Sequence, residues 1–160
     1  MKPITPNLWF DGNVEEAAGF YTKLFPNSKI EKILYSPADN PSVRQGEVLT
    51  VEFTLNGQRF VGINGGPAFK FTEAVSFEID CKDQAEVDHY WNALTADGGK
   101  KSMCGWCKDR FGLSWQVVPQ RLLDLLYGPD EVVGQHVMEA MLTMEKIDIA
   151  ALEAAAKLSK

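Results

Sequence analysis

The chain has 160 residues, 45% of them hydrophobic and 24% charged, which supplies both a core and a solvated surface and makes disorder an unlikely default. This length suits one compact unit, or two small modules sharing a sheet, and is short for two independent domains. A formal net charge of -6, with Lys and Arg scattered along the chain, argues against nucleic acid and anionic membranes as partners.

The opening residues Met1-Lys2-Pro3-Ile4-Thr5-Pro6 lack the apolar run of a secretory signal. Nowhere is there a stretch of roughly 18 apolar residues able to cross a bilayer. A cytoplasmic location is the resulting expectation. Cys81, Cys104 and Cys107 cannot all pair within one chain, so free thiols are expected in a reducing compartment.

Ile4 to Phe10 reads as a strand, with Leu8 and Phe10 on one face and Thr5, Asn7 and Trp9 on the other. Asp11-Gly12-Asn13 turns the chain into an amphipathic helix. Asn13 is its expected N-cap, and Val14, Ala17, Ala18, Tyr21, Leu24 and Phe25 form the apolar stripe before Pro26-Asn27 stops it. Strands are expected at Lys29 to Ser36, Gly46 to Leu55 and Arg59 to Asn64, the last two joined by the hairpin signal Asn56-Gly57.

The same order begins again at Ala74, where Val75, Phe77 and Ile79 alternate with Ser76 and Glu78. A second helix is expected over Asp83 to Ala96, ended by Asp97-Gly98-Gly99. Short strands follow at Lys101 to Trp106, near Cys107 to Asp109, and from Leu113 to Val118. Two βαβββ halves suggest an internal duplication whose sheets pair into a half-open mixed barrel around a central cleft, an α+β fold. Module one spans about 1-72, module two about 73-119, and a helical extension about 120-160. Leu122 to Leu126, then Val133, Val137, Met141 and Met144, then Ile149 to Leu158 carry its helical spacing. That extension is apolar enough to dock on its own chain or across a homodimer.

Several phrases stand in order along the chain: Asn7-Leu8-Trp9-Phe10-Asp11-Gly12, Leu24-Phe25-Pro26-Asn27-Ser28, Asn64-Gly65-Gly66-Pro67, Cys104-Gly105-Trp106, Asp109-Arg110-Phe111-Gly112-Leu113-Ser114-Trp115-Gln116 and Ala140-Met141-Leu142-Thr143-Met144. With their spacing the chain resembles the PhnB-like branch of the vicinal oxygen chelate superfamily, alongside glyoxalase I, bleomycin-resistance proteins and extradiol dioxygenases. Members of this branch often carry a demethylubiquinone methyltransferase label. No Gly-rich turn follows the first strand here to receive a methyl-donor cofactor. The resemblance implies four metal-ligand positions, on the first and last strands of each module. They fall at Thr5, at Gly62 or Asn64, at Ala74 and at Gln116, none of which offers the imidazole, thiolate or carboxylate that a catalytic divalent metal needs. No metal and no cofactor are therefore expected. His89 and His136 fall in helices and read as solvated or core residues.

The candidate cleft comprises Thr5, Asn7, Trp9, Asn64, Phe69, Ala74, Ser76, Cys104, Trp106 and Gln116. Glycines in Asn64-Gly65-Gly66-Pro67 would let backbone groups approach a ligand, with Phe69 and Phe71 closing over it, although a plain turn reads equally well. Trp9 points toward the cleft and Trp115 toward the helix layer. Glu78 is a candidate general base if buried, and Cys104 a candidate nucleophile with Lys108 nearby; a solvated carboxylate and a packed thiol are the bland alternatives. Cys104-Gly105-Trp106-Cys107 has dithiol spacing but lacks the helix N-terminus that a redox pair uses. Three readings follow: a metal-independent small-molecule binder, an isomerase, lyase or dioxygenase with an atypical or metal-free site, and a non-catalytic dimeric interaction protein.

Overall fold

A computed structural model describes residues 1–158, so the last two residues of the expected helical extension lie outside the described part. Contacts divide the chain into two units, the first Met1–Phe71 and the second starting at Thr72.

In the first unit β1 (Asn7–Phe10) leads to α1 (Val14–Leu24), then β2 (Lys29–Tyr35), β3 (Val48–Leu55) and β4 (Gln58–Asn64). The sheet order is β1-β4-β3-β2, with β1 parallel to β4 and the other pairs antiparallel. Alternation sends Leu8, Phe10, Val51, Phe53 and Phe60 to one face, where they meet the buried Val14, Ala17, Ala18 and Tyr21 of α1. Gly62 faces α1 as well, because a Cβ there would lie 2.3 Å from Val14 Cγ2. Asn56 and Gly57, both at positive φ, make the expected hairpin between β3 and β4.

Two local expectations are corrected here. The first strand starts at Asn7, so Thr5 lies outside it; Pro6 offers no N–H and contributes only its carbonyl, which accepts from Val61. Asn13 makes no side-chain cap on α1. Asn64, on β4, takes that job: its Oδ1 accepts from Val14 N at 3.1 Å and its Nδ2 donates to the Val48 carbonyl at 3.0 Å.

The second unit repeats the order with β5 (Ser76–Cys81), α2 (Gln84–Thr95), β6 (Lys100–Lys101), β7 (Trp106–Lys108) and β8 (Ser114–Pro119), arranged β5-β8-β7-β6 with β5 parallel to β8. Ile79, Cys81, Cys107, Trp115 and Val117 are buried on the α2 side with Val87, Trp91 and Leu94. Asp83 caps α2 by accepting from Glu86 N, and Glu86 reaches back to Lys82 N. Residues 102–105, expected as strand, form a hairpin turn instead: Trp106 N donates to the Met103 carbonyl, and Cys104 and Gly105 both have positive φ. Ala74 sits in the turn before β5 and not in the strand.

The chain then runs through α3 (Gln120–Leu126), α4 (Glu131–Met141) and α5 (Ile149–Ala156). Val118 at the end of β8 joins Leu122, Leu125, Val137, Ile147 and Leu152 in one buried cluster, so these helices dock on their own unit. Gln84 at the start of α2 holds them: its amide donates to the Ile147 carbonyl at 3.0 Å and accepts from Ile149 N at 2.8 Å. Lys146 and Asp88 add an ion pair at 2.8 Å. The architecture is thus α+β, with two four-stranded mixed sheets, two βαβββ modules and C-terminal helices; neither sheet closes on itself.

Candidate functional site

Each sheet has one face under its helix and one facing away, and the candidate residues sort between them. On the first sheet Trp9 lies on the face opposite α1, paired in register with Ile63. Its indole covers Gly65, where a Cβ would fall 2.2 Å from the ring, and its Nε1 donates to the Gly66 carbonyl at 2.8 Å. Only glycine fits beneath the ring. Phe69 meets Trp9 edge-on with centroids 5.0 Å apart while staying 66% exposed, and Ser42 Oγ donates to the Gly65 carbonyl. The glycine loop, Trp9 and Phe69 therefore form one aromatic corner, whereas Phe71 packs on Phe10. Asn64 is not part of it, since its amide is committed beneath α1. Asn7 is exposed and donates to the Thr5 carbonyl; Thr5 is half-buried beside Glu52 and Arg59.

On the second sheet the face opposite α2 carries two polar rows. One row runs Trp106, Gln116, Glu78 and the other Lys100, Lys108, Ser114, Ser76, each set directly opposite across the strands. Gln116 Nε2 donates to Ser76 Oγ at 2.9 Å. Glu78 is exposed on this face. Lys108 pairs with Glu73, and the ammonium beside it holds the Glu73 carboxyl below its ordinary range. A hollow of about 160 Å³ opens beside Lys100, Lys101, Ser102, Trp106, Lys108 and Ser114. Ser114 is fully buried and its hydroxyl has no hydrogen-bond partner.

The cysteines divide sharply. Cys81 and Cys107 are buried, and burial, reinforced by nearby carboxylates, pushes both thiols up to about 12. Cys107 thus stays protonated at neutral pH and supplies no thiolate of its own. Cys104 is half-buried in a left-handed turn conformation, with its N–H bonded to the Met144 carbonyl at 2.7 Å.

Sequence reasoning passed over two residues. Asp109 is 2% exposed; its Oδ1 accepts from Phe111 N and Leu113 N, and its Oδ2 accepts from Trp115 Nε1 at 2.9 Å. The Asp109 to Trp115 phrase is therefore a turn-building network. Ser114 was readable from alternation as lying on the Gln116 face, but its lack of a partner is a tertiary property.

The family model for 3-demethylubiquinone-9 3-methyltransferase matches residues 2–118. A PhnB protein from Bacillus cereus bearing the same methyltransferase description is 35% identical, with 74% of this chain and 99% of that chain covered and a TM-score of 0.66. The chain belongs to this PhnB-like family. Protein PA1353 from Pseudomonas aeruginosa matches at 23% identity and TM-score 0.61, covering 74% of this chain and 98% of that one. A fosfomycin resistance protein, FosX, from Listeria monocytogenes shares the fold at 13% identity and TM-score 0.52, covering 74% and 93%. The likeness to FosX is one of fold. No curated protein matches the chain.

The residues present do not fit the four-ligand metal centre that the resemblance implies. Thr5 and Gln116 offer only a hydroxyl and an amide, Ala74 offers nothing, Gly62 faces α1, and Asn64 is engaged in capping. Among the described residues no three His, Cys, Asp or Glu side chains come together as a metal site. His89 is exposed on α2 against Tyr90, and His136 lies on α4.

Proposed function

We propose that this PhnB-like protein binds a small molecule without a metal, using the sheet face of the second unit that is turned away from α2. The observation that carries the reading is Gln116. At the closing-strand position where the resemblance implies a metal ligand, a neutral amide instead hydrogen-bonds to Ser76 at 2.9 Å. Around it the face offers Trp106 for apolar contact and Ser76, Ser114 and Lys108 for polar recognition, the mixture typical of small-molecule sites. The Trp9, Gly65 and Phe69 corner supplies a second aromatic surface.

A methyltransferase reading lacks support from the strand-to-helix turn after β1. That turn holds one glycine, Gly12, and the helix-start N–H of Val14 is already bonded to Asn64. An acid–base enzyme using Glu78 or Cys104 would rest on an exposed carboxylate and on a half-buried thiol in a turn. Self-association into a homodimer belongs to the proposal, supported by the exposed Met138 on α4 and the exposed Tyr127 and Leu142 just after α3 and α4, as does a cytoplasmic location, supported by three free thiols. Among the described residues no helix is long and apolar enough to cross a membrane.

Elemental analysis of the purified chain, joined to native mass spectrometry, tests the reading. Substoichiometric zinc, nickel, manganese and iron with a co-purifying small molecule is the expected result. A stoichiometric transition metal lost on Gln116→Ala would overturn it.

A further inference from the structure

The row Lys100, Lys108, Ser114, Ser76 contains two features that cost stability unless something occupies the hollow beside them. Lys100 and Lys108 are directly opposite in register, and like charges so placed repel. Glu73 pairs with Lys108, yet two lysines and one carboxylate on this face of the hollow still leave one positive charge, in a chain whose net charge is -6. The Ser114 hydroxyl is the second feature. It stands next to Lys108 in register, fully buried and unpartnered, while the neighbouring Ser76 hydroxyl accepts from Gln116. A buried hydroxyl without a partner is a standing penalty that an incoming acceptor removes.

One kind of ligand answers both. An oxyanion placed among Lys100, Lys108 and Ser102 would screen the lysines and accept from the Ser114 hydroxyl. We propose that this hollow is an anion subsite that takes the phosphate or carboxylate group of a small organic molecule, with Trp106 packed against the carbon skeleton. At about 160 Å³ it is smaller than a drug-sized pocket of about 300 Å³ and suits a headgroup, not a whole ligand. This deepens the small-molecule reading and rests on it.

Inorganic phosphate is the probe, titrated into the full-length protein while backbone amide shifts are recorded, with chloride at matched ionic strength as the control. Saturable shifts confined to Ser102, Trp106, Lys108 and Ser114 are expected, absent with chloride, and about tenfold weaker binding in Ser114→Ala and in Lys100→Gln. Ser114→Ala deletes only an unpartnered hydroxyl, so its melting temperature should match or exceed that of the parent, which separates lost binding from lost folding. Shifts that chloride reproduces, that do not saturate, or that both variants leave unchanged would overturn the subsite. Should phosphate fail while an uncharged compound co-purifies and binds, the subsite falls and the small-molecule reading stands.

Discussion

Asp109 shows how much one side chain can organise. Its carboxylate accepts three hydrogen bonds, two from the turn it begins and one from the indole of Trp115, and all of them are buried or nearly so. Bonds to a charged acceptor are among the stronger ones, and deleting the acceptor strands three donors. Asp109→Ala should therefore lower unfolding free energy by about 3 kcal/mol or more in urea titrations, with Asp109→Asn losing less because one oxygen remains. Asn64 works on the same principle at lower stakes. The sequence suggests a cleft position for it, at the end of the module's last strand and the start of a glycine loop. What commits it is a helix start fifty residues earlier in the chain, and no local pattern announces that partner.

Among the elements, the β6–β7 hairpin departs most from its sequence expectation. Alternation over Lys101 to Trp106 suggested strand, but Cys104 and Gly105 take positive φ and reverse the chain. Gly105 is required there, since a Cβ would sit 2.8 Å from the Val117 carbonyl oxygen. Cys104 is not suited to its φ of +59, a conformation costing L-residues about 1–2 kcal/mol. Cys104→Gly should raise stability by about 1 kcal/mol in chemical denaturation, and a loss instead would mean that the thiol packs productively. The C-terminal helices depend on Gln84, whose one amide serves two backbone groups at the 147–149 turn. Gln84→Ala should cost about 1–2 kcal/mol and speed amide exchange at Ile149 while leaving β3 protected.

For the molecule as a whole, the two buried thiols set an alkaline limit. Cys81 and Cys107 keep their protons in the folded state to about 12, whereas the ordinary thiol value is 9.0, so above that value the unfolded chain releases protons the folded chain retains. Their contribution is fully present below pH 9 and declines as pH rises toward 12. Urea midpoints should fall through this alkaline range, and Cys107→Val should flatten part of the fall; an unchanged slope would place the cause elsewhere. What the sequence determined by itself was the duplicated βαβββ order, the helix stripes and the β3–β4 hairpin, because hydrophobic periodicity and turn chemistry are local and repeat every two or 3.6 residues. Only the tertiary structure decided that Asn64 caps α1, that Asp109 braces a turn, and that Ser114 stands unpartnered beside opposed lysines. Those outcomes depend on which side chains from distant strands meet and which polar atoms are left over when they do, quantities that packing fixes and periodicity does not carry.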